Sequence, residues 1–435
     1  MKTMTQMELA RQGIITPEMH RVAEKEQVPV EQILEGVARG TIVIPRNIRR
    51  PEVEPTGIGK GLRTKVNASI GTSPDLPDLK PELHKLDVAV KAGADTIMDL
   101  STGGDIDGVR RAVLSRTTLP VGSVPIYQAA IESVERRGGV TAMTAEDMFE
   151  VIERHAADGI DFMAVHCAIN YEVIERLKNQ GRVTDIVSRG GAFLTGWMLY
   201  NQKENPLYEQ FDRLLEIARK YDVTLSIGDA IRPGCIEDSL DRAQVQGLIL
   251  VGELVQRALE AGVQVMVEGP GHVPADQIAT TILLQKQLCH QVPYFVLGNL
   301  VTDIAPGYDH ITAAIGATLA SMHGADFICY VTPAEHLRLP TAEDVHEGVI
   351  AARIGTHAGD IVKGVKGARD WDLAMGRARK ALDWPEQIRL AVDPERAARI
   401  RAERNRANSE ACSMCGEFCA VKVVSRYLGT KAGTC

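Results

Sequence analysis

The chain has 435 residues, a formal net charge of −8 and a hydrophobic fraction of 45%. That balance suits a globular protein with a sizeable core and disfavours nucleic acid as a partner. No apolar run reaches a membrane span and no signal core opens the chain, so the expectation is a cytoplasmic protein without a membrane partner, whose 8 cysteines are free thiols and metal ligands rather than a disulfide framework.

Residues 1 to about 50 are polar and helical in pattern. Thr16-Pro17-Glu18-Met19 reads as a helix start, with threonine as N-cap and proline at the first helical position. Thr41-Ile42-Val43-Ile44-Pro45 reads as a short strand ended by proline. Gly57-Ile58-Gly59-Lys60-Gly61 reads as a plain turn, because no strand precedes it and no Gly-Lys-Ser/Thr follows. From there short apolar runs alternate with longer amphipathic stretches. The strand candidates are 65–70, 95–100, 120–125, 161–166, 185–188, 223–228, 263–268, 294–300 and 325–331, with helix-length stretches such as 207–221 and 238–261 between them. Several are β-branched and do not alternate, as strands buried on both faces should be. Strand–helix repetition at this spacing predicts an α/β fold, a (β/α)8 TIM-type barrel. A barrel takes eight strands, so one of the 9 candidates lies outside it. The expected division is an N-terminal helical extension (1–60), the barrel catalytic domain (61–340), C-terminal helices (341–392), and a hinge with a mobile metal-binding tail (393–435). The charge-dense 396–406 has no apolar face, so 393–410 reads as a solvated helix or hinge, and 427–435 as a frayed end.

Many strand candidates run straight into polar or glycine-rich residues. These are Asn67 and Ser69, Met98-Asp99, Tyr127, His166, Ser188-Arg189-Gly190-Gly191, Asp229-Ala230-Ile231-Arg232, Glu268-Gly269-Pro270-Gly271-His272 and Pro333-Ala334-Glu335-His336. In a barrel the C-terminal strand ends share one face, where active sites are built. Ser188-Arg189-Gly190-Gly191 suits a phosphate through charge-assisted bonds and backbone amides, and Arg232 strengthens that reading. Asp229 and Glu268 could hold sugar hydroxyls or an amine, or act as a general base; capping the next helix is the plain alternative. His272 and His336 could share a divalent metal such as zinc or iron. His310 and His357 are second-rank candidates. Cys167, Cys235, Cys289 and Cys329 lie in or beside apolar segments and read as buried structural thiols.

Near the end stands Cys412-Ser413-Met414-Cys415-Gly416-Glu417-Phe418-Cys419. Three thiolates suit a cubane iron–sulfur cluster with one iron left open. Spacing alone equally allows a zinc knuckle completed by Cys435 or a histidine. An open iron is used to bind and reductively cleave S-adenosylmethionine.

Taken together, 67–73, Met98-Asp99-Leu100-Ser101-Thr102-Gly103, 188–191, 268–274, Thr302-Asp303-Ile304-Ala305-Pro306-Gly307-Tyr308-Asp309-His310, 330–336 and the terminal cysteines resemble the phosphomethylpyrimidine synthases, the ThiC family of thiamine biosynthesis, from about residue 40 to 423. The resemblance implies a radical S-adenosylmethionine lyase on an α/β barrel, in its short form and usually a homodimer. It implies rearrangement of 5-aminoimidazole ribotide to hydroxymethylpyrimidine phosphate, with release of formate and carbon monoxide, and a one-electron donor such as flavodoxin or ferredoxin. It implies substrate contacts at Met98, Tyr127, His166, Ser188, Arg189, Gly190, Asp229, Arg232 and Glu268, with Glu268, Asp229 and Arg232 catalytic. It implies zinc or iron on His272 and His336, and a 4Fe–4S cluster on Cys412, Cys415 and Cys419. Four departures stand out. Ser69 replaces a frequent asparagine. Ala230 and Ile231 replace a usual Gly-Leu pair. Tyr294-Phe295 inverts a usual Phe-Tyr, which turns the tyrosine to the other strand face. The Cys415–Cys419 gap is one residue shorter than in the long forms. These changes touch the substrate pocket, and they raise 5-hydroxybenzimidazole synthase, which acts on the same ribotide, as the alternative. An iron–sulfur carrier or redox sensor would not need a polar barrel mouth.

Overall fold

A computed structural model describes residues 4–404 and 411–428. Thr16 begins the N-terminal extension as expected. Its Oγ accepts the Met19 amide at 3.3 Å, and Pro17 opens the helix Pro17–Glu26. The strand β1 (Ile42–Val43) pairs antiparallel with β2 (Ile58–Gly59). The segment expected to be a plain turn therefore contributes two strand residues before it turns. Gly59 permits the pairing: at φ +147° its Cα lies so close to the Thr41 carbonyl that a Cβ would overlap it. Helices and hairpin share a small core of Met19, Val22, Ile33, Val37, Ile42 and Leu62.

Eight parallel strands follow and close on themselves. They are β3 (Lys65–Ile70), β4 (Thr96–Asp99), β5 (Val121–Ser123), β6 (Phe162–Val165), β7 (Thr224–Ile227), β8 (Val265–Gly269), β9 (Tyr294–Leu297) and β10 (Phe327–Cys329), with β10 pairing β3. The candidate that fails is 185–188. Asp185 adopts φ +50°, which breaks an extended run, and Ser188 is the N-cap of the helix Arg189–Asn201. Inside the barrel, Phe162 lies edge-on to Phe327 and Phe295 stacks on Phe327 at 4.1 Å. Gly122, opposite Phe162 in the register, leaves the space that ring fills.

The extension seals the N-terminal strand ends. Lys65 Nζ meets Glu26 Oε1 at 2.9 Å with both side chains nearly buried. Asn47 Nδ2 donates to the Ala156 and Ile160 carbonyls at 2.8 and 2.9 Å. Arg50 pairs with fully buried Asp161, whose carboxyl burial pushes up to about 6 against the pull of Arg50. Breaking such a pair costs roughly 3–5 kcal/mol. With one end closed in this way, the C-terminal strand ends carry the open face. The helix Ala342–Lys363 completes the eighth strand–helix unit, and its Asp360 accepts the Thr64 hydroxyl at 2.6 Å.

The chain forms two compact units, residues 1–363 and 364–435. The second holds the helices Ala368–Ala381, Trp384–Leu390 and Pro394–Arg404, then a short turn and the helix Ala420–Leu428. The charge-dense helix is better anchored than its sequence suggests, since the Arg401 guanidinium lies 3.6 Å over the Trp384 ring. The end expected to fray from 427 stays helical through Leu428; 429–435, with Cys435, and 405–410 lie outside the described residues. Among the described residues no helix is long and apolar enough to cross a membrane.

Candidate active site

A cavity of about 650 Å³ opens at the C-terminal strand ends and takes lining residues from all eight barrel strands or the turns after them. Ser69, Met98, Tyr127, His166, Arg189, Arg232, Glu268, His272, Phe295 and His336 all line it. Ser188, Gly190, Asp229, Ala230, Ile231 and Tyr294 are not among its lining residues. Register explains the last. Phe295 pairs with Glu268 and shares its inward face, whereas Tyr294 pairs with Val267 on the outward face.

The Ser188-Arg189-Gly190-Gly191 turn is a helix N-terminus. The Ser188 Oγ is spent on the Gly191 amide at 3.2 Å, so that hydroxyl caps the helix instead of facing the cavity. Both glycines answer a packing demand. A Cβ on Gly190 would overlap the His166 ring, and one on Gly191 would overlap the Ala230 carbonyl. This close approach brings the positive end of the helix to the cavity wall beside His166. Arg189 lies 4.9 Å over the Tyr127 ring. The turn from β7 supplies the second guanidinium, whose Nη1 stands 3.4 Å from Glu268 Oε2.

Burial dominates the charges of this wall. It pushes the Asp229 carboxyl up to about 7, against Arg232 and Arg182, which pull it down. It raises the Glu268 carboxyl too, again opposed by Arg232. Burial works against the charge of Arg232 itself, yet Glu268, Tyr127 and Asp229 together raise its pKa. Burial and then Arg232 lower His166 to about 3, so the ring is neutral; its buried Nδ1 has no partner among the described residues. A Cβ on Gly228 would lie 3.2 Å from both His166 Nε2 and Glu268 Oε2, so the two groups flank one point. A neutral imidazole beside two carboxyls that burial raises, one of them to about 7, can hold, accept or release a proton.

Asp229 makes a pH prediction. Its folded pKa lies above the unfolded value near 3.9, so the native state binds the extra proton between about pH 4 and 7. Stability falls as pH rises through that window, by at most roughly 4 kcal/mol and less where solvent screens the half-buried carboxylate. Asp229→Asn is expected to flatten this loss. Melting temperatures of both proteins at pH 5 and pH 8 check it, and identical pH slopes would contradict it.

Beyond Glu268, the Gly269-Pro270-Gly271 turn brings His272 to His336, with ring centroids 5.3 Å apart. A carboxylate accepts from each Nδ1: Asp303 Oδ1 at 2.7 Å for His272, and Asp309 Oδ2 at 3.2 Å for His336. That arrangement fixes the tautomer and leaves both Nε2 lone pairs for a metal, so the pair fits a divalent ion. His336 holds φ +60°, a conformation seldom adopted outside glycine and concentrated at functional sites. His310 and His357 are not among the lining residues.

Cys329, Glu335 and Lys85 also line the cavity, although the sequence assigned none of them a site role. Cys329 was expected to be structural. It is buried but lines the cavity, 3.4 Å from Ser69 Oγ, and burial pushes its thiol up to about 11. Its place at the end of β10 was the available signal. Glu335 lines the wall beside His336, its carboxyl raised by burial. Lys85 reaches the wall from a helix, paired with Glu82 at 2.6 Å, and Glu82 also accepts the Gly71 amide at 2.7 Å.

In the second unit, Cys412, Cys415 and Cys419 sit on one tight turn. The Gly416 amide donates to the Cys412 carbonyl at 3.1 Å, and Gly416 itself takes φ +51°. Cys415 is exposed and the other two are half-buried; all three are free thiols. Among the described residues no three His, Cys, Asp or Glu side chains are drawn together as ligands of a single ion. Three accessible thiols on one turn fit the donor set of a cluster with an open iron.

Residues 5–426 match the model of the radical SAM ThiC family; the likeness begins well before residue 40. The chain is 63% identical to a phosphomethylpyrimidine synthase of Desulforamulus reducens, covering 99% of this chain and 100% of that one. It is 61% identical to the phosphomethylpyrimidine synthase of Moorella thermoacetica, with the same coverage. It is 63% identical to the 5-hydroxybenzimidazole synthase BzaB of the same organism, over 98% of this chain and 100% of that one.

Proposed function

This chain belongs to the radical SAM ThiC family, and on that premise we propose that it converts 5-aminoimidazole ribotide to hydroxymethylpyrimidine phosphate, the pyrimidine precursor of thiamine. The family match across residues 5–426 carries the reading. It is an enzyme that uses S-adenosylmethionine and an iron–sulfur cluster. When bound, that pair supplies a carbon radical able to take an unactivated hydrogen.

The chain's own residues seat and shape the substrate. Arg189, Arg232 and the helix start at Arg189 hold the phosphate. Glu268 accepts from ribose hydroxyls or the ring amine, and Asp229, set behind the lining, acts on the site through the charge of Arg232. Neutral His166 offers a hydrogen bond without adding charge. Met98 and Phe295 close the apolar side and keep water from the reacting carbons. His272 and His336 hold the divalent ion, zinc or iron, and Cys412, Cys415 and Cys419 hold a 4Fe–4S cluster. The working form is a cytoplasmic homodimer fed by a flavodoxin- or ferredoxin-like donor.

A second reading, 5-hydroxybenzimidazole synthase, is supported by the 63% identity to BzaB, which overall identity does not rank below the pyrimidine enzymes. It also draws on the apolar ring of Phe295 at the cavity wall. Anaerobic turnover of the ribotide with S-adenosylmethionine, read by mass spectrometry, is expected to give 5′-deoxyadenosine and hydroxymethylpyrimidine phosphate. A benzimidazole product would replace the first reading with the second, and no turnover of the ribotide would remove both.

A further inference from the structure

Asp303 makes two commitments at once. Its Oδ1 accepts from His272 Nδ1 at 2.7 Å, and its Oδ2 accepts the Ile236 amide at 2.9 Å. Ile236 belongs to the turn after β7 that also carries Arg232, Pro233 and Gly234 along the cavity wall. The turns after β7 and β8 are therefore joined twice. One joint is Arg232 against Glu268 at 3.4 Å, and the other is Ile236 to Asp303 to His272. Glu268, near the end of β8, and His272, in the turn after it, bracket Gly269-Pro270-Gly271. Arg232, Glu268, His272, Asp303 and Ile236 thus close a ring of five groups.

We propose that Asp303 is a positioning residue that couples the divalent-metal site to the anion-binding turn, so that seating metal on His272 and seating ribotide on Arg232 favour each other. The proposal rests on the functional reading above. A ligand on either loop narrows the positions open to the other, and coupling of this kind is reciprocal by linkage. Asp309 offers a contrast, since it serves His336 from the first residue of the helix Asp309–His323. Asp303 is the better candidate because its second oxygen leaves the histidine loop. Its side chain is 32% exposed, so solvent competes for both bonds and the effect is moderate.

Asparagine is the discriminating substitution. It keeps the size of aspartate, but one of its two polar atoms is a donor. It can accept from His272 or from Ile236, not from both. The test uses the full chain freed of metal, zinc alone as the probe, and a competing chromophoric chelator, with and without saturating 5-aminoimidazole ribotide. In the wild type the ribotide is expected to tighten zinc by about threefold to tenfold. Asp303→Asn is expected to weaken zinc by about tenfold and to bring the ribotide effect to none. Asp309→Asn is expected to weaken zinc while the ribotide effect survives. Asp303→Ala repeats the test without a new donor, and circular dichroism confirms that each variant is folded. A ribotide effect that persists in both Asp303 variants overturns the coupling alone. Wild-type zinc binding that is indifferent to His272→Ala overturns the metal pair and the coupling together.

Discussion

Cys415→Ala is expected to abolish the iron–sulfur absorbance of the anaerobically reconstituted protein and to drop 5′-deoxyadenosine formation to background. The three thiols lie within eight residues, Cys412 to Cys419, and the Gly416 turn wraps them at short spacing. A cubane held by three thiolates has no spare protein ligand, so losing one leaves two. The four scattered cysteines offer no replacement: Cys167, Cys289 and Cys329 are buried with thiols pushed up to about 12, 12 and 11, mainly by burial, and Cys235 is raised by burial as well. Cys415 is exposed, so its truncation removes almost no packed surface. The barrel's circular dichroism should be unchanged and stability should move by no more than about 0.5 kcal/mol. Iron content equal to wild type in Cys415→Ala would show that the cluster is held elsewhere.

The barrel was legible because its strands are short and mostly apolar, because helix-length stretches separate them, and because many run into residues that a buried strand would not carry. That same cue located Ser69, Met98, Tyr127, His166, Arg232, Glu268, His272 and His336 on one cavity. It misled at 185–188, where Ile186-Val187 looks like a strand but runs directly into a helix cap. It also could not separate residues that touch the cavity from those that build its wall. Ser188 and Gly190 are essential to the turn yet do not line the cavity: the hydroxyl is turned into the helix cap, and the glycine exists so that His166 can pass. Cys329 shows the opposite error. A thiol at the end of an apolar strand resembles any core cysteine, and only closure of β10 against β3 brings it beside Ser69. Lys85 was beyond reach for a different reason, since it arrives from a helix and no strand-end rule points to it.

Arg232→Ala is expected to weaken ribotide binding by about a hundredfold, while the Michaelis constant for S-adenosylmethionine stays within about threefold. A hundredfold loss is about 2.7 kcal/mol, of which a charge-assisted bond to phosphate accounts for roughly 1.5–2 kcal/mol. The remainder comes from the carboxylates. Arg232 opposes the burial that raises both Asp229 and Glu268, so its removal drives both pKa values higher and favours the protonated form of each. A Glu268 carboxyl that holds its proton more tightly is a poorer acceptor for the ribose hydroxyls. The pH dependence has a definite sign. Both groups have raised folded pKa values, so each contributes stability at low pH that is lost as pH rises through the folded value. In the variant that loss should extend to higher pH than in the wild type. Arg232→Lys keeps a charge but loses the fork, so it should recover the pH behaviour better than the affinity. The two contributions separate with the dephosphorylated ribonucleoside. If Arg232 holds the phosphate, the variant's penalty should shrink by about tenfold or more on that ligand, since the phosphate bond is absent from both sides of the comparison. An equal penalty with and without the phosphate would place the anion elsewhere and leave Arg232 acting through Glu268 and Asp229 alone.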